Sequence, residues 1–181
     1  MKTGGNGRAK ILTPAELNCL FERGLVTPRD KLLFVIAYYC ACRISEALAL
    51  TTHDLAGGTI TLRKSTTKGK VATRTLPIHP KLNNYLEAYN PQPGLLFPGR
   101  YGDKPLTRAS ADLILTSACK RVRISGASTH SFRRTALTNM SNANVPIRVI
   151  QQISGHKSLT ALQRYLDVNP EQVASAIALL I

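Results

Sequence analysis

The stretch KLLFVIAYYCA, residues 31–41, constrains the fold most, because it has no polar face. A helix that is apolar on all sides must be wrapped by other elements, so this one is a buried helix of a larger domain. In front of it, Thr27-Pro28-Arg29-Asp30 supplies an N-cap and a proline for the first helical position. Thr13-Pro14-Ala15-Glu16 carries the same start signal with a capping-box glutamate, and Gly24 stops that first helix after about Arg23. A short helix from Ile44 to Leu50 follows. After Gly57-Gly58 the period changes. TITLRK and TRTLPI alternate on either side of a basic, glycine-containing turn, which predicts a β-hairpin. Helical patterns return near 80–89, 107–122, 129–142, 146–153, 158–166 and 170–180, with Pro91, Pro93, Gly94 and Pro98 in a surface loop. The fold class is therefore α+β, mainly α-helical with a small antiparallel β-sheet. Residues 1–10 read as a flexible leader and residues 11–181 as one domain, long enough to bury a core.

Charge narrows the function. Lys and Arg number 24 against 10 Asp and Glu, a net charge of +14. Such an excess repels itself in a compact state, and a polyanion relieves it. Double-stranded DNA is the expected partner, since neutralising phosphates releases counterions. Cys19, Cys40, Cys42 and Cys119 form no C-x-x-C pair and have no paired histidine spacing, so neither a zinc site nor a disulfide framework is expected. No apolar run approaches a membrane span, and no signal-peptide core opens the chain. A soluble, cytoplasmic, nucleoid-associated protein is the expectation, with no cofactor and no metal.

Four stretches carry candidate chemistry: CRISE with Arg43 and Glu46, the hairpin KSTTKGKVATR, THSFRRTALTNM, and SGHKSLTALQRYLD. Each has an ordinary reading. Arg43 and Glu46 match a helix-surface pair, a basic turn is usually solvated, and a histidine near a helix start is usually structural. The segment around Gly155 also has the look of a helix-turn-helix. Together, however, they supply arginines, two histidines, lysines and a tyrosine. Guanidinium forks match phosphate oxygens and stabilise charge developing on them. A tyrosine hydroxyl needs a base to become a nucleophile, and a histidine can serve. No paired-carboxylate cluster suits a two-metal site, so the set favours metal-free covalent phosphoryl transfer.

The sequence resembles the catalytic domain of tyrosine recombinases, the phage integrase family. The resemblance rests on R-x-x-E at Arg43 and Glu46, H-x-x-R at His130 and Arg133, G-H at Gly155 and His156, and Tyr165 nine positions after His156. It covers residues 11–181 and implies that family's catalytic-domain fold. It also implies roles. Tyr165 attacks the scissile phosphate and forms a 3′-phosphotyrosyl link, without metal or ATP. Arg43, Arg133 and His156 bind the phosphate, His130 moves a proton near Tyr165, and Lys68 protonates the leaving 5′ oxygen. Glu46 supports Arg43. Lys64 and Lys70 rival Lys68 in the turn before Arg74-Thr75-Leu76-Pro77, and with Arg74, Arg134 and Lys157 are expected to contact DNA. Cys42, Ser154 and Arg134 depart from the usual G-L-R, L-G-H and R-H forms. The chain is expected to lack the N-terminal core-binding domain common in the family, either as an excised domain or as a compact natural recombinase. On the face of the last helix, Val173, Ile177 and Leu180 suit either the chain's own core or a neighbouring protomer. The expectation is a monomer in solution that forms a tetramer on DNA through this C-terminal helix. Two other readings share these residues: a DNA-binding regulator with an idle catalytic set, and a type IB topoisomerase-like strand cleaver.

Overall fold

The computed structural model describes residues 9–63, 72–163 and 170–179. Helix α1 (Pro14–Cys19) starts on a capping box: Thr13 Oγ1 accepts from the Glu16 N–H, and the Glu16 carboxylate accepts from the Thr13 N–H. The helix does not continue evenly to Arg23. Its last turn, Leu20–Gly24, widens to a π turn in which the Leu25 N–H reaches the Leu20 carbonyl at 2.8 Å. Gly24 fits there because it lies close to the Ala118 carbonyl, 3.3 Å from where a Cβ would stand.

Helix α2 (Pro28–Tyr39) is the central helix that its composition requires. Leu32, Leu33, Phe34, Val35, Ile36 and Ala37 are buried in succession, so more than one face is covered. It packs against α4 (Pro80–Tyr89) and α6 (Thr129–Asn142). The Phe34 ring meets Phe132 of α6 at a centroid distance of 5.0 Å, and Phe21 stacks on the same ring at 5.9 Å. Close aromatic packing of this kind fixes how α6 lies against α2.

The sheet has three antiparallel strands in the order β1 (Leu55–Ala56), β2 (Thr59–Leu62), β3 (Arg74–Pro77). The sequence reading predicts β2 and β3 and misses β1. Gly57 and Gly58, at φ +55° and +71°, make a two-residue turn that pairs Ala56 with Thr59 and Leu55 with Ile60. Ile60 and Leu62 point into the core, and so does Arg74, which stands opposite Leu62 in the register. The turn carrying Lys64, Lys68 and Lys70 lies outside the described residues.

Helix α3 (Ile44–Leu48) is shorter than the segment expected from Ile44 to Leu50. The later helices are α5 (Arg108–Arg121), α7 (Ile147–Ser154), α8 (Leu159–Gln163) and α9 (Pro170–Ile177). A second, smaller core of Ala41, Ala136, Leu137, Ile150 and Leu162 joins α6, α7 and α8 to the turn before α3. It brings the start of α3, the first turns of α6 and the end of α7 to one place. Among the described residues, no helix is long and apolar enough to cross a membrane.

Candidate active site

Arg133 stands at the centre of this meeting point. It occupies the second turn of α6 and is 4% exposed. Its Nη1 donates to the Ala41 carbonyl at 2.6 Å and to the Ser154 carbonyl at 2.9 Å. Nη2 lies 3.0 Å from His156 Nε2 and 3.3 Å from Nδ1. Nearly equal distances to two atoms that flank Cε1 place Nη2 over the imidazole, not in line with either lone pair. An Nη2 N–H thus meets the ring from its face. The Ala41 carbonyl is aimed by an unusual backbone: Ala41 is not a glycine, yet its φ is +43°.

Glu46 organises the other side. Its side chain is fully buried, and it accepts from the Arg43 backbone N–H at 2.8 Å, from Arg43 Nη1 at 3.3 Å and from Arg74 Nη2 at 2.9 Å. Burial alone would raise its pKa. The Arg74 hydrogen bond and charge and the Arg43 N–H outweigh that, and hold the carboxyl below its ordinary value. Arg43, the N-cap residue of α3, keeps its side chain partly exposed, at 28%.

The end of α7 completes the cluster. Gly155 closes that helix in the left-handed region, at φ +67°. A Cβ there would stand 2.8 Å from Arg74 Nη1, so both the backbone angle and the close approach call for glycine. Arg74 Nε donates to the Ile153 carbonyl at 2.9 Å. Two guanidinium groups, from Arg74 and Arg133, therefore cap the carbonyls of the last turn of α7, where the helix dipole favours cations. His156 follows directly, 8% exposed, with Nδ1 2.7 Å from Ser154 Oγ. Burial first, then the charges of Arg133, Arg43 and Arg74, lower its pKa to about 3. Burial and the neighbouring Arg43 likewise bring Arg133 down to about 10. A cleft of about 430 Å³ opens beside them, lined by Thr73, Arg74, Gln151, Gly155 and His156.

The fold brings together Arg43, Glu46, Arg133 and His156, four residues singled out by the family resemblance. His130 lies one turn before Arg133 on α6 and is exposed. Its pKa is lowered by partial burial and by the charges of Arg108, Arg133 and Arg43, which places it in the same field. Lys157 is exposed. Tyr165 and Lys68 fall outside the described residues, as do Lys64 and Lys70.

Two expectations need correction. Arg74, read from sequence as a DNA contact, is buried, with two nitrogens held by Glu46 and Ile153 and the third packed on Gly155. Strand alternation is the reason: its register on β3 turns it inward. Arg134, also read as a DNA contact, donates to the Ala9 carbonyl and has a buried, unpartnered Nε. It ties the segment before α1 to α6, alongside a bond from the Leu12 N–H to Thr135 Oγ1 at 2.8 Å. Sequence reasoning also missed the part played by Ser154, treating it only as a departure from pattern. The signal was a hydroxyl two positions before His156 at a helix end.

Residues 11–172 match the sequence profile of the phage integrase family. The chain belongs to that family. Among its integrase-family relatives, the tyrosine recombinase XerC of Rhodospirillum centenum is 31% identical over 158 residues, spanning 81% of this chain and 45% of that protein. A tyrosine recombinase of Pseudothermotoga lettingae is 29% identical over 174 residues, spanning 92% of this chain and 59% of that protein. The chain thus spans about half the length of these curated relatives. The integrase-family fold is shared with the crystal structure of XerA recombinase, at a TM-score of 0.78 and 20% identity, covering 93% of this chain and 64% of that one. It is shared too with the Tn1549 transposon integrase in complex with a circular intermediate DNA, at a TM-score of 0.80 and 16% identity, covering 98% and 68%.

Proposed function

We propose that this chain is the DNA-cleaving and rejoining part of a site-specific tyrosine recombinase. One observation carries the reading: Arg43, Arg133 and His156 converge around a single buried carboxylate, a site with excess positive charge suited to one phosphate. A phosphodiester of double-stranded DNA is the substrate. The Tyr165 oxygen attacks phosphorus, and the bond from phosphorus to the 5′ oxygen breaks. The tyrosine proton passes to His130, and the departing 5′ oxygen takes a proton from Lys68. The product is a 3′-phosphotyrosyl link and a free 5′ hydroxyl. Another strand's 5′ hydroxyl then attacks the link, releases Tyr165 and restores a phosphodiester. The bond energy stays in the covalent intermediate, so no ATP is used.

The exposed apolar side chains of α9, Val173 and Ile177, fit an assembly on DNA in which the C-terminal helix docks on a neighbouring protomer, the chain alone being monomeric. Similarity to a Tn1549 integrase bound to circular intermediate DNA supports duplex DNA as the partner.

The test is strand cleavage of nicked duplexes in EDTA by wild type and Tyr165→Phe. A protein–DNA band resistant to denaturation, formed by wild type alone, is the expected result. DNA binding with no such band under any substrate register would overturn the reading and leave a DNA-binding regulator.

A further inference from the structure

Ser154 does two things at once. Its carbonyl accepts from Arg133 Nη1 at 2.9 Å, and its hydroxyl meets His156 Nδ1 at 2.7 Å. The residue is fully buried. Its Oγ also lies 3.3 Å from the Gln151 carbonyl, which accepts from the Gly155 N–H at 2.8 Å as well. A hydroxyl has one proton and faces two neighbours here. If Nδ1 were a bare lone pair, Oγ–H would turn to it and leave the Gln151 carbonyl to the Gly155 N–H, but the ring proton would then sit on Nε2, 3.0 Å from the donor Arg133 Nη2. If Nδ1 carries a proton, Nδ1–H donates to Oγ, Oγ–H donates to the Gln151 carbonyl, and Nε2 faces Arg133 Nη2 as an acceptor. The Gln151 side chain closes the loop by donating from Nε2 to the His156 carbonyl at 3.0 Å.

We propose that Ser154 is a positioning residue for His156, fixing the imidazole with its proton on Nδ1 so that Nε2 is the nitrogen presented to a bound phosphate. The partner of one ring nitrogen sets what the other can do. A leucine, the usual residue here in the family pattern, has no acceptor, whereas the serine of this chain supplies one. The neutral ring places Nε2 as a lone pair beside Arg133. When a phosphate enters and the ring gains a proton, the same Ser154 hydroxyl still accepts from Nδ1, and Nε2–H becomes a donor to the phosphate. The orientation is thus common to the free and the occupied site.

The proposal builds on the recombinase reading, and its test separates the two. Long-range proton–nitrogen correlation spectra of the full DNA-free chain report which ring nitrogen is protonated, with the His156 signals assigned by their loss in His156→Gln. Wild type is expected to carry the proton on Nδ1, and Ser154→Ala to lose that preference. In nicked-duplex cleavage at saturating protein, Ser154→Ala is expected to form covalent adduct about tenfold more slowly, the effect of one lost hydrogen bond on a transition-state donor, with DNA affinity unchanged. A wild-type ring protonated on Nε2, or a Ser154→Ala ring with the wild-type pattern, would overturn the proposal. Spectra as expected in a chain that forms no adduct at all would uphold the positioning role and reject the recombinase reading.

Discussion

His156 should make the DNA-free protein lose stability steeply on mild acidification. The ring's ordinary pKa is 6.5, and in the fold burial together with Arg133, Arg43 and Arg74 lowers it to about 3. Glu46 opposes them, and its own pKa is lowered, so its charge persists at pH 5. Between the two histidine values the unfolded chain binds a proton that the folded chain does not, so stability is present above pH 6.5 and falls as the pH drops toward 3. Integrated from pH 7 to pH 5, this one group accounts for about 2 kcal/mol. Urea unfolding of wild type and His156→Gln at both pH values isolates it, since other titrating groups, His130 included, are shared. Wild type should lose about 2 kcal/mol more than the variant over that range. Losses equal within about 0.5 kcal/mol would show that the ring is not held neutral and would refute the charge argument.

Glu46→Gln should cost about 3–5 kcal/mol in urea unfolding, because it leaves the buried Arg74 guanidinium without its carboxylate; a cost below about 1 kcal/mol would mean that Arg74 escapes to solvent. Gly155→Ala should destabilise by at least about 1–2 kcal/mol from the positive φ alone, and should also slow adduct formation, since a Cβ displaces Arg74 Nη1 from the end of α7. Thermal unfolding read beside a cleavage time course checks both effects.

The central helix and the Arg43–Glu46 pair were legible in sequence because each depends on local pattern, whereas the gathering of Arg43, Glu46, Arg133 and His156 was expected only from the family resemblance. An all-apolar run can only be buried, and R-x-x-E places its glutamate at the third position of a helix whose N-cap is Arg43, where the carboxylate reaches back to the Arg43 N–H. Arg74 was not legible as a buried group. Nothing in T-R-T-L-P says which strand face meets the end of α7, and a basic residue beside a basic turn reads as solvated. The β1 strand was missed because two residues are too few for alternation to show, although Gly57-Gly58 was itself a hairpin signal. Ser154 was missed for a related reason: its role depends on a ring two residues away folding back over the helix end, which only the left-handed turn at Gly155 brings about.

The same contacts explain why the site is built from guanidinium groups capping backbone carbonyls. Arg43, Arg74 and Arg133 lie around one carboxylate, so two positive charges in the cluster have no acidic partner in Glu46. Left in an apolar pocket they would be too costly to bury. Carbonyls of Ala41, Ile153 and Ser154 supply partial negative charge that holds the guanidiniums in place without neutralising them. A second carboxylate would stabilise the free fold better and would also compete with an incoming phosphate. The carbonyls leave the positive field intact, and its cost appears in the lowered pKa values of Arg133 and His156. Under the proposed recombinase reading, a phosphate monoanion entering this field would reverse those shifts, and the repulsion that weakens the DNA-free protein would become attraction for the charge that grows on phosphate oxygens as a bond is made to phosphorus.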